Sequence, residues 1–122
     1  MSNERLLSTF LDLVRIDSPT GCEAGVATFL TDRLEQLGFS VRFDDSAAST
    51  GSDTGNLIAE LAGTAQGVLA FSAHMDCVEP CRGVQPSITD GSATTTVAAT
   101  TGPKKSPLPL SSSPACGSNQ SG

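Results

Sequence analysis

Acidic residues stop at Asp90 and phenylalanine stops at Phe71, so the last 31 of the 122 residues hold neither an acid nor an aromatic ring. All 13 Asp and Glu and all five Phe lie at or before Asp90. The average hydrophobic content of 38% would suffice for one small domain with a modest core, but it hides this break. Two stretches of different character are joined near Gly91.

Clustered basic residues are also lacking. The net charge is -6 with a pI near 4.4, and Lys104 and Lys105 are the sole adjacent lysines. A nucleic-acid partner is excluded on this ground, because phosphate binding needs grouped Lys and Arg to displace counterions. No run approaches the roughly 18 apolar residues that span a bilayer, which leaves no membrane partner. Glu4 and Arg5 stand where a signal peptide would begin its apolar stretch. A soluble, cytoplasmic protein is therefore the expectation, with homo-oligomerisation left open. Cys22, Cys77, Cys81 and Cys116 are accordingly read as free thiols.

What is present before Gly91 is patterned. From Asn3 to Arg15, Leu6, Leu7, Phe10, Leu11, Leu13 and Val14 recur at helical spacing, and Pro19 and Gly21 end the segment. A second helix is expected from Cys22 to Leu37, with Val26, Ala27, Leu30, Leu34 and Leu37 as its apolar stripe and Gly38 as a left-handed stop. Ser40 to Phe43 alternates like a half-buried strand, and Asp44 to Gly55 is a polar loop. Asn56 to Leu61 and Val68 to Ala73 read as two further strands. Two helices followed by three strands predict the opening of an α/β sandwich. Residues 92–122 hold seven Ser, five Thr and four Pro without a helical or strand period, and are expected to be irregular. The domain reading is thus 1–91 as one patterned α/β unit and 92–122 as a low-complexity tail.

Chemistry concentrates in the stretch from Val68 to Pro80, VLAFSAHMDCVEP. Positions i and i+2 of a strand share a face, so His74 and Asp76 would point into one site at its carboxyl end. Neutral imidazole is a good zinc ligand, and a nearby carboxylate orients it or a reacting water. Taken alone, His-x-Asp is common by chance and more often a packed histidine beside a surface aspartate.

Several collinear motifs give the pair a context. ERLLSTFLDLVRIDSPTG at Glu4 to Gly21, TDRLEQLGFSV at Thr31 to Val41, TGNLIAEL at Thr54 to Leu61, FSAHMDCVEP at Phe71 to Pro80 and GVQPSITDG at Gly83 to Gly91 follow one another in order. Together they resemble the start of the dinuclear-zinc exopeptidases, the family that includes peptidase T, aminoacylase and bacterial glutamate carboxypeptidase, which implies that 1–91 is the incomplete N-terminal part of a metallopeptidase catalytic domain. HMDCVEP is similar to the HxDTVEP pattern of the peptidase T branch, whose substrates are short peptides with a free amino terminus. The resemblance implies two zinc ions sharing a bridging carboxylate and a water, with a glutamate as general base. It makes His74 a ligand to one zinc and Asp76 the catalytic-site acid that supports it.

The family's later ligands belong to a GADDK-like stretch, a Glu-Glu pair, another Asp and a distant His. After Gly91 this chain contains no Asp, Glu or His. The abrupt Ser/Thr/Pro/Ala-rich tract is what out-of-frame translation of a GC-rich gene produces, and a natural low-complexity linker is the other reading. A thiolate zinc site from His74, Cys77 and Cys81 is an alternative, but it gives three ligands and needs Cys22 or Cys116 from elsewhere. Glu79 and Asp90 lie near the same segment and read as solvated loop charges. Two functions stay in play: a zinc exopeptidase fragment, inactive alone, and a non-catalytic interaction module on a partial peptidase fold.

Overall fold

The structure, a computed structural model, describes residues 3–97. Helix α1 spans Asn3–Val14 and α2 spans Ala24–Gln36. The end of α2 follows from Gly38, whose φ of 89° is open to glycine at no steric cost. Its N–H donates to the Glu35 carbonyl at 2.9 Å and that of Phe39 to Leu34 at 3.0 Å, the paired bonds that close a helix with a left-handed residue.

The chain then forms β1 at Ser40–Phe43, a single turn α3 at Ala47–Thr50, and β2 at Leu57–Glu60. Strands β1 and β2 pair antiparallel, with Ser40 opposite Glu60 and Phe43 opposite Leu57. Asp44 locks the open end of this pair. Its Oδ1 accepts from the Ser46 hydroxyl at 2.6 Å and the Asn56 N–H at 2.8 Å, and its Oδ2 accepts from Asn56 Nδ2 at 2.9 Å. These donors, the Ser46 hydroxyl foremost, hold the Asp44 carboxyl far below the ordinary aspartate range.

Strands β3 at Val84–Thr89 and β4 at Ser92–Val97 make a second antiparallel pair, separate from the first. The turn between them is Asp90-Gly91, both at positive φ. Helix α2 packs on β1 and β2, and α1 lies against β3. No helix among the described residues is long and apolar enough to cross a membrane.

The α/β order expected from sequence is present, with two differences. Val68 to Ala73 is not a strand. A strand exists through its ladder of partners, and among the described residues none pairs with this run. Val68, Leu69 and Phe71 are left 97%, 80% and 89% exposed. Conversely, Ser92–Val97 is strand where an irregular tail is expected, because the Asp-Gly turn folds it back on β3. The break in composition at Gly91 therefore falls inside a hairpin turn. The rest of the tail, 98–122, lies outside the described residues.

Burial is concentrated in one place. Ser18, Cys22, Val26, Ala27 and Cys81 are buried, joining the loop after α1, the first turn of α2 and the segment beyond His74. Much of the expected helical stripe is not covered: Leu6 and Phe10 of α1 and Leu37 after α2 stay exposed. Cys22 is disulfide-bonded, which corrects its reading as a free thiol, whereas Cys77 and Cys81 are free.

Candidate functional site

The loop from Asp17 to Gly21 exists because Pro19 and Gly21 end helical geometry after α1. Its short polar side chains then find their partners more than fifty residues along the chain. Ser18 is fully buried. Its hydroxyl donates to the Met75 carbonyl at 2.7 Å, and its own carbonyl accepts the Cys77 N–H at 2.7 Å. Pro19 and Cys77 form an isolated parallel bridge. Asp17 Oδ1 accepts the Gly83 N–H at 2.7 Å. Asp76 is thus stapled at both flanking residues.

The Thr20 hydroxyl donates to Asp76 Oδ2 at 2.7 Å, and Asp76 Oδ1 lies 3.3 Å from His74 Nδ1. The structure therefore brings the two expected site residues together, although the segment carrying them is a stapled loop and not a sheet strand. Their environments differ. Asp76 is 29% exposed and His74 is 94% exposed. The Thr20 hydroxyl holds the Asp76 carboxyl below its ordinary range, and attraction to His74 adds to this, against an opposing effect of burial. Asp76 is accordingly a carboxylate that only accepts hydrogen bonds, as an imidazole-orienting group must be.

Among the described residues the donors of the thiolate alternative do not converge. Cys81 Sγ faces the Cys77 carbonyl at 3.6 Å, and burial first, then the Glu79 charge, pushes its thiol up, away from the thiolate a metal takes. Glu79 serves its own turn, accepting from the Cys81 N–H and from Arg82 Nε, each at 3.1 Å. Asp90 is occupied as a turn residue. Among the described residues, no group of three or more His, Cys, Asp or Glu converges as a metal site. A ligand with its orienting carboxylate is less than the three protein ligands of a catalytic zinc, so a complete zinc sphere does not fit the described residues alone.

Sequence reading does not bring forward Asp17, Ser18 or Thr20, which lie in the segment where Pro19 and Gly21 end the first helix. The available signal was two hydroxyl side chains flanking a proline in a loop, residues that often bond to distant backbone instead of their own helix.

No family profile matches the chain. It is 42% identical over 92 residues to the uncharacterised protein YqjE of Bacillus subtilis strain 168, covering 75% of this chain and 25% of that protein. Succinyl-diaminopimelate desuccinylase of Methylorubrum extorquens strain PA1 is 40% identical over 80 residues, covering 66% of this chain and 20% of the enzyme. Among solved structures, aminopeptidase PepT of Bacillus cereus ATCC 10987 superposes with a TM-score of 0.73 at 42% identity, over 78% of this chain and 26% of that one. A tripeptidase of Staphylococcus aureus subsp. aureus Mu50 gives 0.72 at 33% identity over the same shares. The chain spans about a fifth to a quarter of the length of these relatives. The fold is an α/β arrangement that resembles part of a peptidase domain. More specifically, the chain is similar to the N-terminal part of the B. cereus aminopeptidase fold.

Proposed function

We propose that this chain carries the His-Asp portion of a zinc-dependent exopeptidase site. In its intact form that site would hold two zinc ions, which would supply an activated water for the hydrolysis of short peptides. The observation supporting this reading is the His74–Asp76 pair, 3.3 Å apart and held on a loop that Ser18 and Thr20 fasten. Within it His74 would present Nε2 as a ligand, and Asp76 would accept a hydrogen bond from the other ring nitrogen and fix the ring's direction. The chain alone is inactive: two donors are too few to hold a catalytic zinc, and nothing after Gly91 supplies an acid or a second histidine. Short peptides with a free amino terminus are the substrate class of the intact site, and the cytoplasm is its compartment.

The test is tripeptide hydrolysis and calorimetric zinc titration on purified protein. No turnover is expected with zinc or cobalt, with at most one weak zinc lost on His74→Ala. Metal-dependent turnover abolished by that substitution would overturn the proposal.

A second reading, a non-catalytic interaction module, is favoured by the exposed apolar run at Val68, Leu69 and Phe71. It predicts concentration-dependent association that His74→Ala leaves intact and that polar replacement of Leu69 and Phe71 removes.

A further inference from the structure

We propose that Thr20 is a positioning residue for His74, acting through the Asp76 carboxylate. A carboxylate on an open loop turns about its last torsion and offers either oxygen to a neighbour. Here the Thr20 hydroxyl donates to Oδ2 at 2.7 Å, which leaves Oδ1 facing His74 Nδ1 at 3.3 Å. The imidazole is 94% exposed, so packing does not hold it. Its orientation rests on this one carboxylate oxygen.

Thr20 is itself suited to the task because the backbone on both sides of the contact is fixed. Buried Ser18 bonds to Met75 and Cys77, the two neighbours of Asp76, and Pro19 bridges to Cys77. The Thr20 hydroxyl thus reaches Asp76 from a seat two residues away from a fully buried anchor.

The consequence is a choice of tautomer. With the Oδ1 charge 3.3 Å from Nδ1, the neutral ring is favoured with its proton on Nδ1, which keeps the Nε2 lone pair free toward solvent. An unrestrained imidazole in water prefers the opposite arrangement, with the proton on Nε2. Thr20 therefore keeps the outward nitrogen in the state able to bind an electrophile. That the electrophile is a zinc ion rests on the proposed function, whereas the tautomer does not.

The single histidine of this sequence makes the test unambiguous. Nitrogen-15 NMR of the side chain, at a pH where the ring is neutral, reads the tautomer directly in the whole protein without metal. The Nδ1–H form should predominate in the wild type. Thr20→Val, nearly equal in shape, should shift the tautomer ratio about fivefold toward Nε2–H, the weight of one ordinary hydrogen bond. Thr20→Ser should restore it, and Asp76→Ala should reproduce the loss with Thr20 in place. An Nε2–H majority in the wild type would overturn the proposal whatever the variants do. So would an unchanged ratio in a folded Thr20→Val. Failure of zinc binding or peptide hydrolysis would bear on the proposed function and leave this result standing.

Discussion

The buried hydroxyl of Ser18 is bonded at 2.7 Å to the carbonyl of Met75, the residue immediately before Asp76. Two loops distant in sequence are joined there by a group that water cannot replace. Ser18→Ala should leave the carbonyl without its donor and cost about 1–3 kcal/mol, read as a lower urea midpoint at unchanged slope. A midpoint equal to wild type would mean that the loop is held by its backbone bonds alone.

A Cβ added at Gly55 would overlap the backbone carbonyl of Asp44, and it would lie 2.9 Å from that residue's Oδ1. Neither atom belongs to a side-chain tip that could swing away cheaply, since Oδ1 is already engaged by Ser46 and Asn56. Gly55→Ala should therefore cost about 1–3 kcal/mol through forced backbone shifts. Amide exchange of β1 should speed up first, because Asp44 N–H donates to the Asn56 carbonyl at the end of the β1–β2 pair.

Asp44 also sets an acid dependence. Its folded-state carboxyl titrates well below the ordinary value near ~3.9, so its contribution is complete above that value and is lost as pH falls through the folded one. Asp76 and Glu79 are shifted in the same direction, the first chiefly by Thr20 and the second chiefly by the Cys81 N–H. Stability should decline on acidification below about pH 4. Asp44→Ala should lie below wild type at neutral pH, with the gap narrowing as the solution is acidified. A gap independent of pH would remove Asp44 as the titrating group.

Elements with a local cause were readable in the sequence. The stripe and Gly38 define α2, found at Ala24–Gln36, and alternation defines β1 at Ser40–Phe43. The His-x-Asp spacing brought His74 and Asp76 forward, and the structure places them side by side. What failed was non-local or misweighted. Val68 to Ala73 has a strand's residues but no partner among the described residues, and composition cannot reveal a missing partner. The β3–β4 hairpin was marked by Asp90-Gly91, a strong two-residue turn signal that the change in composition obscured. Thr20 and Ser18 act across more than fifty residues, a separation that no periodicity reports.

The exposed run at Val68, Leu69 and Phe71 gives the last prediction. These side chains are 97%, 80% and 89% exposed, so here they contribute little burial that a substitution could remove. Leu69→Lys with Phe71→Lys should change stability by no more than about 0.5 kcal/mol, as for surface positions without a special role. The same pair of charges should raise solubility, because an unpaired apolar segment invites other chains to pair with it. Light scattering at rising concentration measures this, with wild type expected to associate and the double variant to stay dispersed. The B. cereus aminopeptidase provides the contrast, since this chain covers 26% of it and packing of the remainder on the matching segment would show as sensitivity to the same changes. Large-to-charged changes at the corresponding positions there should unfold the enzyme, with a cost beyond the roughly 2–5 kcal/mol of cavity formation alone. If both proteins tolerate the substitutions equally, the run is a surface feature in each, and its exposure here carries no sign of a missing neighbour.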